Sequence, residues 1–263
     1  MPKCLQCVAG MLREGESNVK LHARARKGGD CRGFSLIELS IAIMIIALLL
    51  GGILVPLGTQ VNQRRVSETE SRLEQIKEAL IGFALANGYL PCPAKSATDG
   101  TEDRTGTACT GGKRVGFLPS VTLGVTPYDS WGNLYRYSAS ANFTNSDPVY
   151  LFTLTSTRDI LVETRNNAGV ATNLSNVNEI PVVVLSHGKN GYGATSDTGT
   201  ARAVPATWNN TLDEWQNANN PATFWSRTQT DNTGATGGQF DDIVVWIPPA
   251  ILFSRMVAAG KLP

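Results

Sequence analysis

Hydrophobic positions run almost unbroken from Phe34 to Val55 and then change period. The first stretch holds 22 residues and a single ionisable side chain, Glu38. As a helix rising ~1.5 Å per residue it covers about 33 Å, enough to cross a bilayer core. After Pro56 the apolar positions thin into one stripe. Val66, Thr69, Leu73, Ile76, Leu80 and Phe83 recur at steps of three and four, while Arg64, Arg65, Glu68, Glu70, Arg72, Glu74, Lys77 and Glu78 mostly take other faces. That is the pattern of an amphipathic helix packed on a domain. Asn87-Gly88 ends it, because a left-handed C-cap needs a residue tolerant of positive φ, and Pro91 and Pro93 block its resumption. The pattern predicts one helix from Phe34 to about Asn87, its first half in lipid and its second half the spine of a soluble head. Gly51, Gly52 and Pro56 form its weak point, since Pro56 cannot donate to the carbonyl of Gly52.

From residue 89 to the end there are 175 residues, enough for one core-bearing domain. Short apolar runs alternate with Gly, Asn, Thr and Ser, which predicts strands joined by long loops. The expected strands are Leu134–Ser140, Val149–Ser156, Ile160–Thr164, Ile180–Ser186 and Ile243–Ile247. Polar loops are expected at Asp99–Arg114, Gly188–Thr211 and Thr228–Gly238, and a last helix at Ala250–Ala259, which Pro248-Pro249 can open. Trp131-Gly132-Asn133 reads as a turn that places Tyr135 and Tyr137 on one strand face. No internal repeat is visible.

Charge and cysteine content then orient the chain. Residues 1–33 carry Lys3, Arg13, Lys20, Arg24, Arg26, Lys27 and Arg32 against Glu14, Glu16 and Asp30, a net +4 beside a whole-chain +1. Basic residues flanking a membrane helix stay cytoplasmic, so the C-terminal part faces the other side. Nothing in the remaining −3 suggests a nucleic-acid-binding surface. Three of the five cysteines, Cys4, Cys7 and Cys31, precede the apolar run. With His22 they match no common zinc spacing.

Arg32-Gly33-Phe34-Ser35-Leu36-Ile37-Glu38, followed by the apolar run, resembles the processing site of type IV prepilins and of the pseudopilins of type II secretion. The resemblance implies that a prepilin peptidase cuts between Gly33 and Phe34 and methylates the new N-terminus at Phe34. An α-amine four residues before Glu38 can then neutralise that carboxylate, within one chain or between neighbouring chains. Only Cys92 and Cys109 remain after the cut, in an oxidising compartment where a disulfide is expected. Asp129-Ser-Trp-Gly-Asn-Leu-Tyr-Arg-Tyr137 is similar to the segment that opens the sheet in major pseudopilins, with Ser130 in place of its proline. The fold implied is α+β and type IV pilin-like: a long N-terminal transmembrane and spine helix packed on an antiparallel β-sheet head with long loops. Its divisions are a leader at 1–33, a membrane or filament-core helix at 34–56, the amphipathic spine at 57–88 and a periplasmic head at 89–263.

Two sites of possible chemistry lie in the head. His187, beside Ser186, is the one histidine after Gly33 and so the one candidate base for a hydrolase. Its context reads more simply as a strand entering a glycine turn. Asp231, Asp241 and Asp242 flank a Gly-rich loop of the kind calcium favours, and major pseudopilins hold calcium near their C-terminal end. Thr233, Ala235 and Thr236 break the EF-hand pattern there. The expected protein is a minor pilin or pseudopilin with no reaction of its own, anchored once in the inner membrane and assembling with other pilin subunits. The rival is a membrane-anchored periplasmic binding protein or enzyme that never polymerises.

Overall fold

The computed structural model describes residues 35–166, 168–175 and 179–262, with the side chains of 49–57 outside the description. The leader, with Cys4, Cys7, His22 and Cys31, and the expected cleavage site Gly33–Phe34 lie outside it as well. The chain divides into two compact units after Ile53. The first helix, α1, runs Leu36–Asn87, and its helical assignment continues through Gly51, Gly52 and Pro56.

In the C-terminal unit, α1 ends as its sequence dictates. Gly88 takes φ +87°, and its N–H donates to the Ala84 carbonyl at 2.7 Å. The chain then forms a small hairpin, β1 (Arg104–Thr105) and β2 (Ala108–Cys109), inside the loop closed by a Cys92–Cys109 disulfide. Next come β3 (Val115–Phe117), a single turn α2 (Ser120–Leu123), β4 (Arg136–Ala139), β5 (Leu161–Arg165), β6 (Ala171–Asn173) and β7 (Val182–Ser186). A two-turn helix α3 (Asp213–Asn219), β8 (Thr223–Trp225), β9 (Ile243–Trp246) and α4 (Pro249–Ala258) complete the unit.

The main sheet has the order β3-β4-β7-β9 and is antiparallel throughout. A second sheet, β6-β5-β8, joins β5 to β8 in parallel, so the head departs there from the all-antiparallel expectation. Strand β7 is buried on both faces, as its unbroken Val-Val-Val-Leu run requires. Val182 and Val184 join Leu73, Ile76, Leu80, Ile81 and Ala84 of α1, together with Tyr135, Tyr137, Leu252 and Met256. Val183 and Leu185 pack with Val162, Phe224 and Val244. The order of layers is therefore spine helix, main sheet, second sheet.

The apolar stripe of α1 is buried where it was expected. Thr69, Leu73, Ile76 and Leu80 are fully covered, and Val66 and Phe83 are half-buried. The turn at Trp131-Gly132-Asn133 also forms: Asp129 Oδ1 accepts the N–H groups of Trp131 and Asn133, and Gly132 takes φ +77°. One expected strand is absent. Val149–Ser156 is irregular, with Val149 and Tyr150 exposed and Phe152 alone among its apolar side chains buried, stacked on Phe143. Asp147 captures the N–H of Val149 at 2.9 Å, and Ser156 captures that of Thr153 at 2.8 Å. Such local side-chain bonds compete with a β-ladder. The first part of the expected surface loop after Gly188 is likewise packed rather than solvated, with Gly188, Gly191, Ala194 and Ser196 buried.

Candidate functional site

In the N-terminal unit, α1 begins at Leu36, where the Ser35 carbonyl accepts the N–H of Leu39 at 3.1 Å. Glu38 sits exposed in the first turn. Leu36, Ile37, Leu39, Ile41, Ile43, Met44, Ile45, Ile46 and Leu48 are 51–88% exposed. They follow one another too closely to form a stripe, so the helix is apolar around its circumference. A helix of that kind is stable only when something covers it on every side. Among the described residues no helix is long and apolar enough to cross a membrane. The expected span at 34–56 includes Phe34 and the side chains of 49–57, outside the described set.

In the C-terminal unit the polar side chains converge where β7 runs into its glycine turn. Ser186, at the end of β7, gives its hydroxyl to Asp129 Oδ2 at 2.5 Å and accepts the N–H of Gly188 at 3.1 Å. Gly188 has φ +58°, and a Cβ there would run into the carbonyl and carboxylate of Asp241. Only glycine allows this approach. Beyond it, Asn190 donates its backbone N–H to Asp241 Oδ2 at 2.8 Å and its side-chain amide to Glu214 Oε1 and Oε2 at 2.9 and 3.0 Å. Asp241 returns its N–H to Glu214 Oε1 at 2.7 Å. Asn217 of α3 holds Asp242 Oδ2 at 2.8 Å.

The result is a group of three carboxylates, Glu214, Asp241 and Asp242, with an oxygen of each within 4.8 Å of the others. Asp241 Oδ1 and Asp242 Oδ1 have no hydrogen-bond partner among the described residues. Burial pushes all three acids up, Asp241 to about 7, Asp242 to about 8 and Glu214 to about 9, and mutual repulsion adds to the rise. His187 lies 3.6 Å from Asp242 through Nδ1 and is 2% exposed. Burial, reinforced by Arg136, pushes it down to about 3, so it is neutral. Beside the group, Asp213 binds Arg165 through two hydrogen bonds at 2.8 and 2.6 Å and Arg227 at 2.8 Å.

The geometry sorts the sequence candidates. Ser186 is fully buried and its hydroxyl is committed to Asp129, which leaves it without the exposure a nucleophile requires. Asp241 and Asp242 belong to one carboxylate group, and its third member is Glu214 rather than Asp231. Asp231 is exposed and shares with Asp241 the lining of a separate cavity of about 200 Å³. Glu214 lies 27 positions before Asp241. The one signal for it is the acidic pair Asp213-Glu214, which suits the first turn of a helix. Calcium takes six to eight oxygens, and three clustered carboxylates with two orphaned oxygens fit part of such a shell.

Residues 29–54 match the family model described as the prokaryotic N-terminal methylation motif, the type IV prepilin-type signal. No curated protein and no solved structure matches the chain. The motif suggests a structural rather than a catalytic protein.

Proposed function

We propose that this chain is a structural subunit, a minor pilin or pseudopilin, of a type IV pilus or a type II secretion-like filament. The methylation motif at 29–54 carries the reading, because it implies a prepilin peptidase and the processed N-terminus that assembly uses. The uncovered apolar helix supports it, since lipid covers such a helix before assembly and neighbouring helices cover it afterwards. The head would stand in the periplasm, on a single inner-membrane pass, until the subunit is extracted into the filament. Such a subunit has no reaction of its own.

The test is the N-terminus of the mature protein isolated from its native host. A filament subunit begins at N-methylated Phe34. A chain that retains residues 1–33 is instead a signal-anchored, non-polymerising periplasmic protein. We also propose that calcium, if the head binds it, is held by Glu214, Asp241 and Asp242. The observation in favour is their grouping around two unpartnered oxygens.

A further inference from the structure

A cavity of about 200 Å³ lies between α1 and the loops of the head, lined chiefly by Asn62, Val66, Trp131, Lys189, Asp231 and Asp241. All of them belong to the C-terminal unit. Asn62 and Val66 stand one turn apart on α1 and so share a face. Trp131 comes from the turn that Asp129 holds, and Lys189 from the glycine turn after β7. Two hydrogen bonds of 2.8 Å join Thr230 to Phe240 and fix the residues that follow them, Asp231 and Asp241.

Three buried atoms of this lining have no hydrogen-bond partner among the described residues: Asn62 Oδ1, Trp131 Nε1 and Asp241 Oδ1. Leaving such atoms unpaired is costly, so each calls for water or a ligand. Lys189 and Asp231 add one charge of each sign at the exposed rim. Among the described residues neither side chain enters a salt bridge or a hydrogen bond. The indole N–H and the lysine ammonium are donors for an anion, while Asn62 Oδ1 and the Asp231 carboxylate are acceptors for a cation. Asp241 Oδ1 suits either role. Its companion Oδ2 already accepts the Asn190 N–H at 2.8 Å, so Oδ1 accepts when the acid is ionised and donates when it is protonated. The charges offered to a ligand are therefore those of Lys189 and Asp231.

We propose that this cavity binds a small zwitterionic α-amino acid, its carboxylate on Trp131 Nε1 and Lys189 and its ammonium on Asn62 Oδ1 and Asp231. At roughly 30 Å³ per water-sized group, the space holds about six or seven non-hydrogen atoms, the size of alanine or serine. A ligand with a single charge leaves either Lys189 or Asp231 unmatched. The site is built by the head alone and does not depend on assembly of the chain into a filament. Calcium on the carboxylate group would draw on Asp241 as well, so the two ligands would compete for it.

The test is isothermal titration of the full chain in detergent micelles, with chelator present so that Asp241 carries no metal. The probes are L-alanine, propionate, which lacks the ammonium, and ethylammonium, which lacks the carboxylate. Alanine should bind saturably, and each singly charged analogue at least about tenfold more weakly. Lys189→Met and Asp231→Asn should each weaken alanine binding about tenfold. Both side chains are exposed, so these variants should keep the wild-type melting curve. Asn62→Ala should weaken binding about fivefold, because it removes an acceptor inside the cavity. Alanine is the best helix former, so α1 is kept in that variant. It separates a ligand seated in the cavity from one held by the surface charges. Absence of saturable heat with alanine overturns the proposal and leaves the cavity to water. So does equal affinity for either analogue, or unchanged affinity in any of the three variants.

Discussion

The backbone N–H of Cys92 donates to the carboxylate of Glu102 at 3.1 Å, inside the loop that the Cys92–Cys109 disulfide closes. Glu102 in turn pairs with Arg104 at 3.0 Å, and Arg104 lies over the Tyr89 ring and donates to the Thr144 carbonyl at 2.8 Å. The loop is thus fastened to the exit of α1 and to the turn after β4 by polar contacts as well as by sulfur. Replacing both cysteines by alanine is expected to cost about 3 kcal/mol at most, the loop-closure value, because the folded loop keeps these braces. Urea titration of the double variant measures it. A loss well beyond that value would mean that the Glu102–Arg104 contacts depend on the disulfide.

Asp213 is the one acid binding both Arg165 and Arg227, and it is 1% exposed. Removing one partner of a buried pair leaves the other charge uncompensated, which costs about 3–5 kcal/mol. Asp213→Ala should therefore destabilise the head by roughly that amount. Arg165 and Arg227 also lie over the Trp225 and Phe240 rings, 4.3 and 4.7 Å from their centroids. Near-ultraviolet circular dichroism should show those aromatics losing their fixed environment. A denaturation midpoint within error of wild type would show that the guanidinium groups find other partners.

The carboxylate group makes head stability depend on pH. Glu214, Asp241 and Asp242 are raised above their unfolded values, so between about pH 4.5 and their folded values the native state binds more protons than the unfolded chain. Stability therefore falls as pH rises through that range. His187, lowered to about 3, has the opposite sign: it adds stability that is lost as pH falls below 6.5. Above pH 6.5 only the acids act, and the melting temperature in chelator should decline from pH 6.5 towards 9. Millimolar calcium should reduce that decline, since a bound cation stabilises the folded state by mass action. Identical melting curves with calcium and with chelator across this window would remove the calcium reading.

What could be read from the chain was what periodicity carries. The α1 stripe, the cap at Asn87-Gly88, the Val-Val-Val-Leu strand and the Tyr135–Tyr137 face all follow from spacing and residue type. The strands β3, β6 and β8 are three residues long, too short for any period to emerge. Val149–Ser156 failed in the other direction, because Asp147 and Ser156 bind local N–H groups that a strand would offer to a neighbour. Glu214 was hidden by distance along the chain. It meets Asp241 only because α3 packs beside the turn that Gly188 permits, and nothing local to either residue encodes that meeting.

Gly33 stands directly before Phe34 at the boundary between charged and apolar sequence, within the methylation motif. A peptidase cleft that reads this junction should admit little beyond a hydrogen on the residue before the cut. Gly33→Val is expected to leave the precursor at full length in cells that make the peptidase. The mass of the accumulated protein reports it directly, and cleavage at the wild-type rate would defeat the processing assignment.

Glu38 carries the assembly argument. It is the one ionisable side chain between Phe34 and Val55, and it is exposed on a stretch of helix whose large apolar side chains are uncovered. An unpaired carboxylate in lipid is costly, so a subunit that stays single gains nothing from keeping it. In a staggered stack of parallel helices, Glu38 of one chain can meet the Phe34 amine of the next. In so apolar a core the pair attracts strongly, and each charge left alone is penalised. The pair would then fix axial register while the surrounding Ile and Leu side chains supply the cohesion. Glu38→Val is therefore expected to reach the membrane at normal levels and to enter filaments poorly. The measurement is the ratio of sheared-filament to membrane-bound protein for variant and wild type, each expressed with its partner subunits. An unchanged ratio would sink the register role, and absence of the wild-type chain from any filament would favour the plain membrane anchor. A partial defect would place the subunit at the tip, where a chain has neighbours on one side only and half of its charge pairs to lose.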